Sequence, residues 1–145
     1  MPGASMTSAV SAGQLFDGEN WLEDHGLLLQ GDHVQALLPR AELPVDIPHT
    51  NLGNTRLAPG LIDIQVNGGG GTMLNNQPSA AGVACIAKAH RQFGTTGLAP
   101  TIISDTPEVQ RAAAAAIAQA RTAGEQGILA LHIEGPHFEL TRRGT

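Results

Sequence analysis

The sequence predicts an α/β fold in which a parallel sheet with helical crossovers follows a small all-β segment. Two observations carry this. Apolar, strand-like runs begin at Leu61, Gly97 and Ile128, 36 and 31 residues apart, with a helix-like segment in each gap. That is the span of βαβ units, whose crossovers are right-handed. Before Arg56 the pattern differs: short strand-like runs are separated by Pro, Asp, Asn and Gly. Residues 1–56 therefore read as part of a small β domain and residues 57–145 as the α/β part.

Each element has a local reason. Residues 26–39 (GLLLQGDHVQALLP) read as two strands around a turn at Gly31 and Asp32, a hairpin. Pro44 and Pro48, with neighbouring Asp, Asn and Gly residues, mark irregular loops through Asn54. Residues 61–67 (LIDIQVN) form the first strand of the α/β part. A helix follows from Ser79 as N-cap to Gly94 as its stop. Residues 97–104 (GLAPTIIS) form the second strand, with Pro100 poorly suited to an inner position. Asp105 with Glu108 three residues on resembles a capping box, Pro107 suits a first turn, and an Ala-rich helix runs on to Gly124. Residues 128–134 form the third strand.

Composition excludes several classes. A net charge of −5 with no basic stripe argues against nucleic acid, since Arg142 and Arg143 are the only adjacent cations. Cys85 is alone, so there is no disulfide framework. No stretch approaches the ~20 apolar residues of a membrane span. The first residues lack the basic start of a secretory signal, so a soluble cytoplasmic protein is expected. A GxGxxG or Walker-type loop is absent, and the glycine run Gly68 to Gly71 has no Lys behind it to hold phosphate.

Side-chain parity refines the fold. Asp63, Gln65 and Asn67 share one face of the first strand, and Ile62, Ile64 and Val66 the other. In the third strand His132 and Glu134 share a face, opposed by Leu129, Leu131 and Ile133. An open doubly wound sheet would be apolar on both faces. One apolar face under helices and one that turns polar at the strand end is the pattern of a parallel (β/α)8 barrel. The expected architecture is thus the N-terminal part of a TIM barrel, about three βα units, preceded by part of a small β-sandwich domain.

Parallel strands end on one side, so Gln65, Asn67, Ser104 and Glu134 should meet at a common mouth. Glu134 lies in the run His132 to Glu139 (HIEGPHFE), where Gly135 and Pro136 turn the chain. A carboxylate at the end of a buried strand needs a partner, and a metal ion is one. A neighbouring amide or an Arg is the alternative. His132 reads as a hydrogen-bonded or substrate-contacting side chain, and His137 as exposed. Gln65 and Asn67 are neutral amides, better suited to orienting water or substrate than to binding a transition metal. His25, His33, His49 and His90 carry no spacing signal and read as solvent-facing. No Ser/His/Asp or Cys/His arrangement stands out.

Three blocks of residues, 57–71 (LAPGLIDIQVNGGGG), 93–105 (FGTTGLAPTIISD) and 129–145 (LALHIEGPHFELTRRGT), together resemble the N-acetylglucosamine-6-phosphate deacetylases of the metal-dependent amidohydrolase superfamily. Gln65-x-Asn67 stands where most amidohydrolases carry His-x-His, a variation these deacetylases show. The resemblance implies removal of acetate from N-acetylglucosamine 6-phosphate by a metal-activated water, with a divalent ion, zinc by preference. It makes Glu134 a metal ligand, sets Gln65 beside the metal, and lays the Thr145 backbone against the sugar. It also implies a homo-oligomer, and an Asp base, two His ligands and a phosphate-binding Arg that would lie after Thr145. His137 departs from the aromatic residue often found at its position. On this count the chain holds about three of eight barrel units and one of at least three metal ligands, so alone it is expected to be inactive and incompletely folded. The alternatives are a non-catalytic α/β binding or assembly protein, and an amidohydrolase acting on another N-acyl sugar.

Overall fold

The computed structural model describes residues 6–135. Thr145 and His137 therefore lie outside the described residues. The chain forms two compact units, Met1–Pro59 and Gly60–Thr145.

The first unit is all β. Strands β1 (Thr7–Ser11), β2 (Gln14–Phe16), β3 (Trp21–Glu23), β4 (His25–Gln30), β5 (His33–Pro39), β6 (His49–Asn51) and β7 (Arg56–Leu57) form two sheets, ordered β5-β4-β1-β6 and β3-β2-β7. The β4–β5 hairpin matches the expected one, with Gln30 opposite His33 across the Gly31–Asp32 turn. The loop expected through Asn54 instead contains β6, which pairs parallel with β1. Local turn residues could not reveal a strand whose partner lies some 40 positions earlier in the chain. Between β2 and β3, the Asp17 carboxylate accepts the backbone N–H of Glu19 (2.8 Å) and Asn20 (2.7 Å), forming an Asx turn. Hydrogen bonds from Asn20 and then Glu19 favour the charged form, so they hold the Asp17 carboxyl below its ordinary pKa. Phe16 and Trp21 stack 5.1 Å apart, and the Arg56 guanidinium sits 5.4 Å over the Trp21 ring. The buried apolar set is small: Ala9, Ala12, Leu15 and Leu43. An apolar cavity of about 280 Å³ opens between residues of both sheets, among them Leu15, Phe16, Leu27, Val34, Leu37 and Leu57.

The second unit is α/β. Strand β8 (Leu61–Val66) leads into a small hairpin, β9 (Gly68–Gly69) and β10 (Thr72–Met73). Its two turn residues, Gly70 and Gly71, have φ of 62° and 80°, so both need the left-handed backbone that a two-residue type I′ turn demands. This accounts for the last two glycines of the run. Helix α1 (Ala80–Arg91) starts at Ser79, whose Oγ accepts the Gly82 N–H at 3.1 Å. Strand β11 (Thr95–Ile103) follows, then helix α2 (Pro107–Thr122) and strand β12 (His132–Glu134). The cap of α2 is Thr106, whose Oγ1 accepts from Val109 N, with Pro107 beginning the first turn. Asp105, expected as the cap, sits one residue earlier and accepts from the Thr106 N–H instead.

Strands β8, β11 and β12 pair in parallel in the order β12-β11-β8, the arrangement expected of consecutive βα units. Helices α1 and α2 bury Val83, Ile86, Ala87, Ala113, Ala116, Ile117 and Ala120 in one cluster with Val66, Leu74, Leu98, Ile102 and Ile128. The alanines on α2 let its backbone come close to the layer beneath.

Two expectations of parity fail. The expected third strand is interrupted: Ile128 bridges Leu98, but His132 pairs with Thr101, so the third strand spends four residues where β11 spends three. One extra residue is a β-bulge, and it reverses the alternation of faces. Ile128 and Ile133, an odd number apart, both align with the Leu98–Ile102 face. Leu129 therefore does not share a face with Ile133. Gly127 (φ 79°) initiates the irregularity; a Cβ there would lie 2.4 Å from the Thr96 carbonyl oxygen. On β8, Val66 packs beneath the helices as expected, but Ile62 and Ile64 are exposed. The strand is at the sheet edge of the described residues, and α1 packs on β11 and the β9–β10 hairpin instead.

Candidate active site at the strand ends

Glu134 ends β12 and is half-buried. Its Oε2 accepts a hydrogen bond from Gln65 Nε2 at 3.1 Å, joining residues 69 positions apart. Ser104, just past β11, donates its hydroxyl to the Glu134 carbonyl at 3.3 Å. Gln65, Ser104 and Glu134 thus do come together. Asn67 does not join them: its backbone oxygen accepts from Leu74 N, and its side chain bonds none of the other three.

His132 shares the Glu134 face. Its Nδ1 lies 2.7 Å from the Ile64 carbonyl oxygen, so the ring reaches past the central strand to β8. A carbonyl only accepts, so Nδ1 is the donor. His90, expected to face solvent, is half-buried instead, with Nε2 2.9 Å from the Gly68 carbonyl, so it ties α1 to the glycine hairpin. The single cysteine lies on the same helix, and Cys85 Sγ approaches the Gly70 carbonyl at 3.6 Å.

Residue spacing held no hint of Asn75. Its Nδ2 donates to the Ile103 carbonyl (3.2 Å) and to Asp105 Oδ2 (2.8 Å), while its Oδ1 accepts the Ile103 N–H (3.1 Å). One side chain therefore satisfies both backbone groups of Ile103, the residue in register with Glu134. In the sequence Asn75 reads as an ordinary turn residue. Only the β11 strand end arriving beside it supplies the groups it binds.

The donor chemistry fits one ligand of a metal centre. Among the described residues Glu134 makes no ion pair with Lys or Arg, which leaves the Gln65 amide as its partner there. An amide neutralises no charge, so the carboxylate retains its affinity for a cation. Among the described residues no group of three or more His, Cys, Asp or Glu could hold a metal by itself. A Ser–His contact elsewhere, Ser11 Oγ to His49 Nε2 at 2.9 Å, offers no accessible nucleophile, because Ser11 is fully buried.

Residues 9–57 match the NagA composite domain family. The chain is 47% identical over 104 residues to an N-acetylgalactosamine-6-phosphate deacetylase of Shewanella sp. (strain ANA-3), covering 72% of this chain and 26% of that protein. It is 31% identical over 123 residues to the N-acetylglucosamine-6-phosphate deacetylase of Haemophilus influenzae, covering 85% of this chain and 32% of that one. The fold superposes on the crystal structure of N-acetylglucosamine-6-phosphate deacetylase from Pasteurella multocida with a TM-score of 0.85 at 27% identity, over 94% of this chain and 36% of that one. The chain thus spans between a quarter and a third of the length of these two curated relatives.

Proposed function

Because the chain is related in sequence and in fold to the amino-sugar-6-phosphate deacetylases, we propose that it forms part of one. The reaction is hydrolysis of an N-acetylhexosamine 6-phosphate to the free amino sugar phosphate and acetate. The observation that carries this proposal is the Gln65–Glu134 pair, a carboxylate held by a neutral amide at the end of parallel strands. On this reading Glu134 holds a divalent ion, zinc by preference. Such an ion, when bound, polarises the acetamide carbonyl and lowers the pKa of its water. Gln65 grips one carboxylate oxygen and leaves the other for the cation, which fixes the plane of the ligand. Ser104 and Asn75 hold the strand ends in place. The protein carrying these residues is a cytoplasmic homo-oligomer whose barrel continues the three parallel strands described above.

The relatives are named for two sugars that differ only in the configuration at C4. N-acetylglucosamine 6-phosphate is the substrate implied by the sequence blocks, and N-acetylgalactosamine 6-phosphate is favoured by the 47% identity to the Shewanella protein. Acetate release from each sugar, measured on the product of the complete reading frame that carries these residues, tests both readings. Turnover of either one that falls about 100-fold or more in Glu134→Gln is expected. An unaffected Glu134→Gln variant removes the metal role of this residue. Failure to release acetate from either sugar removes the reaction.

A further inference from the structure

His132 and Glu134 are alternate residues of β12 and point to the same face. The strand beside them is β11, yet both side chains reach beyond it to β8. They do so at consecutive residues: His132 Nδ1 meets the Ile64 carbonyl at 2.7 Å, and Glu134 Oε2 meets Gln65 Nε2 at 3.1 Å. Opposite His132 in register is the small, fully buried Thr101. Strand β8 otherwise pairs with β11 through a register that shifts twice, at Thr95/Gly97 and Leu98/Pro100. The second shift sets three steps of β8, Asp63 to Val66, against two of β11, Leu98 to Pro100, so Ile64 and Gln65 have no register partner there.

We infer that His132 is a positioning residue: its Nδ1–H clamps the Ile64 carbonyl and thereby sets where Gln65 meets the Glu134 carboxylate. The group it holds is the peptide oxygen immediately before Gln65, so losing the clamp frees that backbone to rotate and carries the Gln65 amide away from Oε2. The expected effect on metal binding rests on the reading of Glu134 as a ligand; the clamp itself does not.

Three substitutions and one direct measurement test it, all on the product of the complete reading frame. Asn places an amide nitrogen near the position of His Nδ1, Gln places one near Nε2, and Leu offers neither. His132→Asn is expected to retain the wild-type affinity for zinc, titrated against a chelator, within about threefold. His132→Gln and His132→Leu are expected to weaken it about 10–100-fold, the usual effect of losing a partner that orients a ligand. The side-chain amide resonances of Gln65 should stay in place in His132→Asn and move in the other two. Rescue by Gln and not by Asn, or wild-type behaviour of Leu, would overturn the inference. In the unsubstituted protein, nitrogen-15 correlation of the histidine rings should find Nδ1 of His132 protonated; a bare Nδ1 overturns the inference even if every variant fails to fold. If the protein binds no zinc, the reading of Glu134 fails, and the Gln65 resonances still decide the clamp.

Discussion

The two units cover their sheets by different means, and the difference shows in what is buried. In the α/β unit two helices share one buried cluster with β11, and every residue from Gly97 to Ile102 is buried. In the β unit two sheets of short strands enclose, among the described residues, four buried apolar side chains and leave a cavity of about 280 Å³. A helix presents a continuous apolar stripe and fills the space above a strand. Strands of two to seven residues present few inward side chains and leave gaps between the sheets. The candidate site sits on the better-packed unit, where the strand ends that carry Gln65 and Glu134 adjoin a buried cluster. Within that unit the same rule holds, since Ile62 and Ile64 on the uncovered edge strand are 67% and 72% exposed.

The largest test of this contrast is truncation in the two cores. Ile86→Ala removes a fully buried side chain from the helix layer and should cost about 3–5 kcal/mol, whereas Leu15→Ala, beside a cavity that already exists, should cost about 2 kcal/mol. Denaturant unfolding can follow each unit separately, because the only Trp, Trp21, reports the β unit and the helical circular dichroism reports the α/β unit. Equal costs would erase the packing difference. Next in size is Gly70→Ala, which forces a side chain into a left-handed turn 3.0 Å from Cys85 Sγ and should cost about 1–2 kcal/mol, read on the helical signal. Thr106→Ala should cost about 1 kcal/mol by removing the cap of α2. A silent Thr106 would return the capping role to Asp105.

The smallest effect belongs to the β unit and to pH. Asp17 is depressed below its ordinary value of 3.8, so its turn is stabilised fully above that value and loses this support as the pH falls through the lower, folded one. A carbon-detected titration of Asp17 should give a midpoint below 3.8, and Asp17→Asn should remove the acid sensitivity of the Trp21 signal. A midpoint at or above 3.8 would mean that the Asx turn is not populated in solution.

Features set by near neighbours were legible in the sequence. The Ser79 cap, Pro107 at the start of α2, and the turn at Gly31 and Asp32 each depend on contacts within a few residues. The alternation of strands and helices was legible for the same reason, and it sufficed to place Gln65, Ser104 and Glu134 toward one end. The bulge after Ile128 was not legible, because the run GILALHIE alternates as well with the extra residue as without it. Only its pairing with β11 shows that one residue is unmatched. The clamp by Asn75 was hidden likewise, since an Asn in a turn-rich stretch announces no partner.

The amino-acid sequence alone determined the alternation of strands and helices in the α/β part, the Ser79 cap and the hairpin turn at Gly31 and Asp32. These follow from backbone preferences and side-chain periodicity, which act over a few residues. Tertiary structure alone decided that Glu134 meets Gln65 across 69 positions, that His132 reaches the Ile64 carbonyl, and that β6 lies beside β1. Those contacts depend on register between distant strands. Register is a property of the pair, chosen by which side chains and backbone groups the assembled sheet can satisfy together.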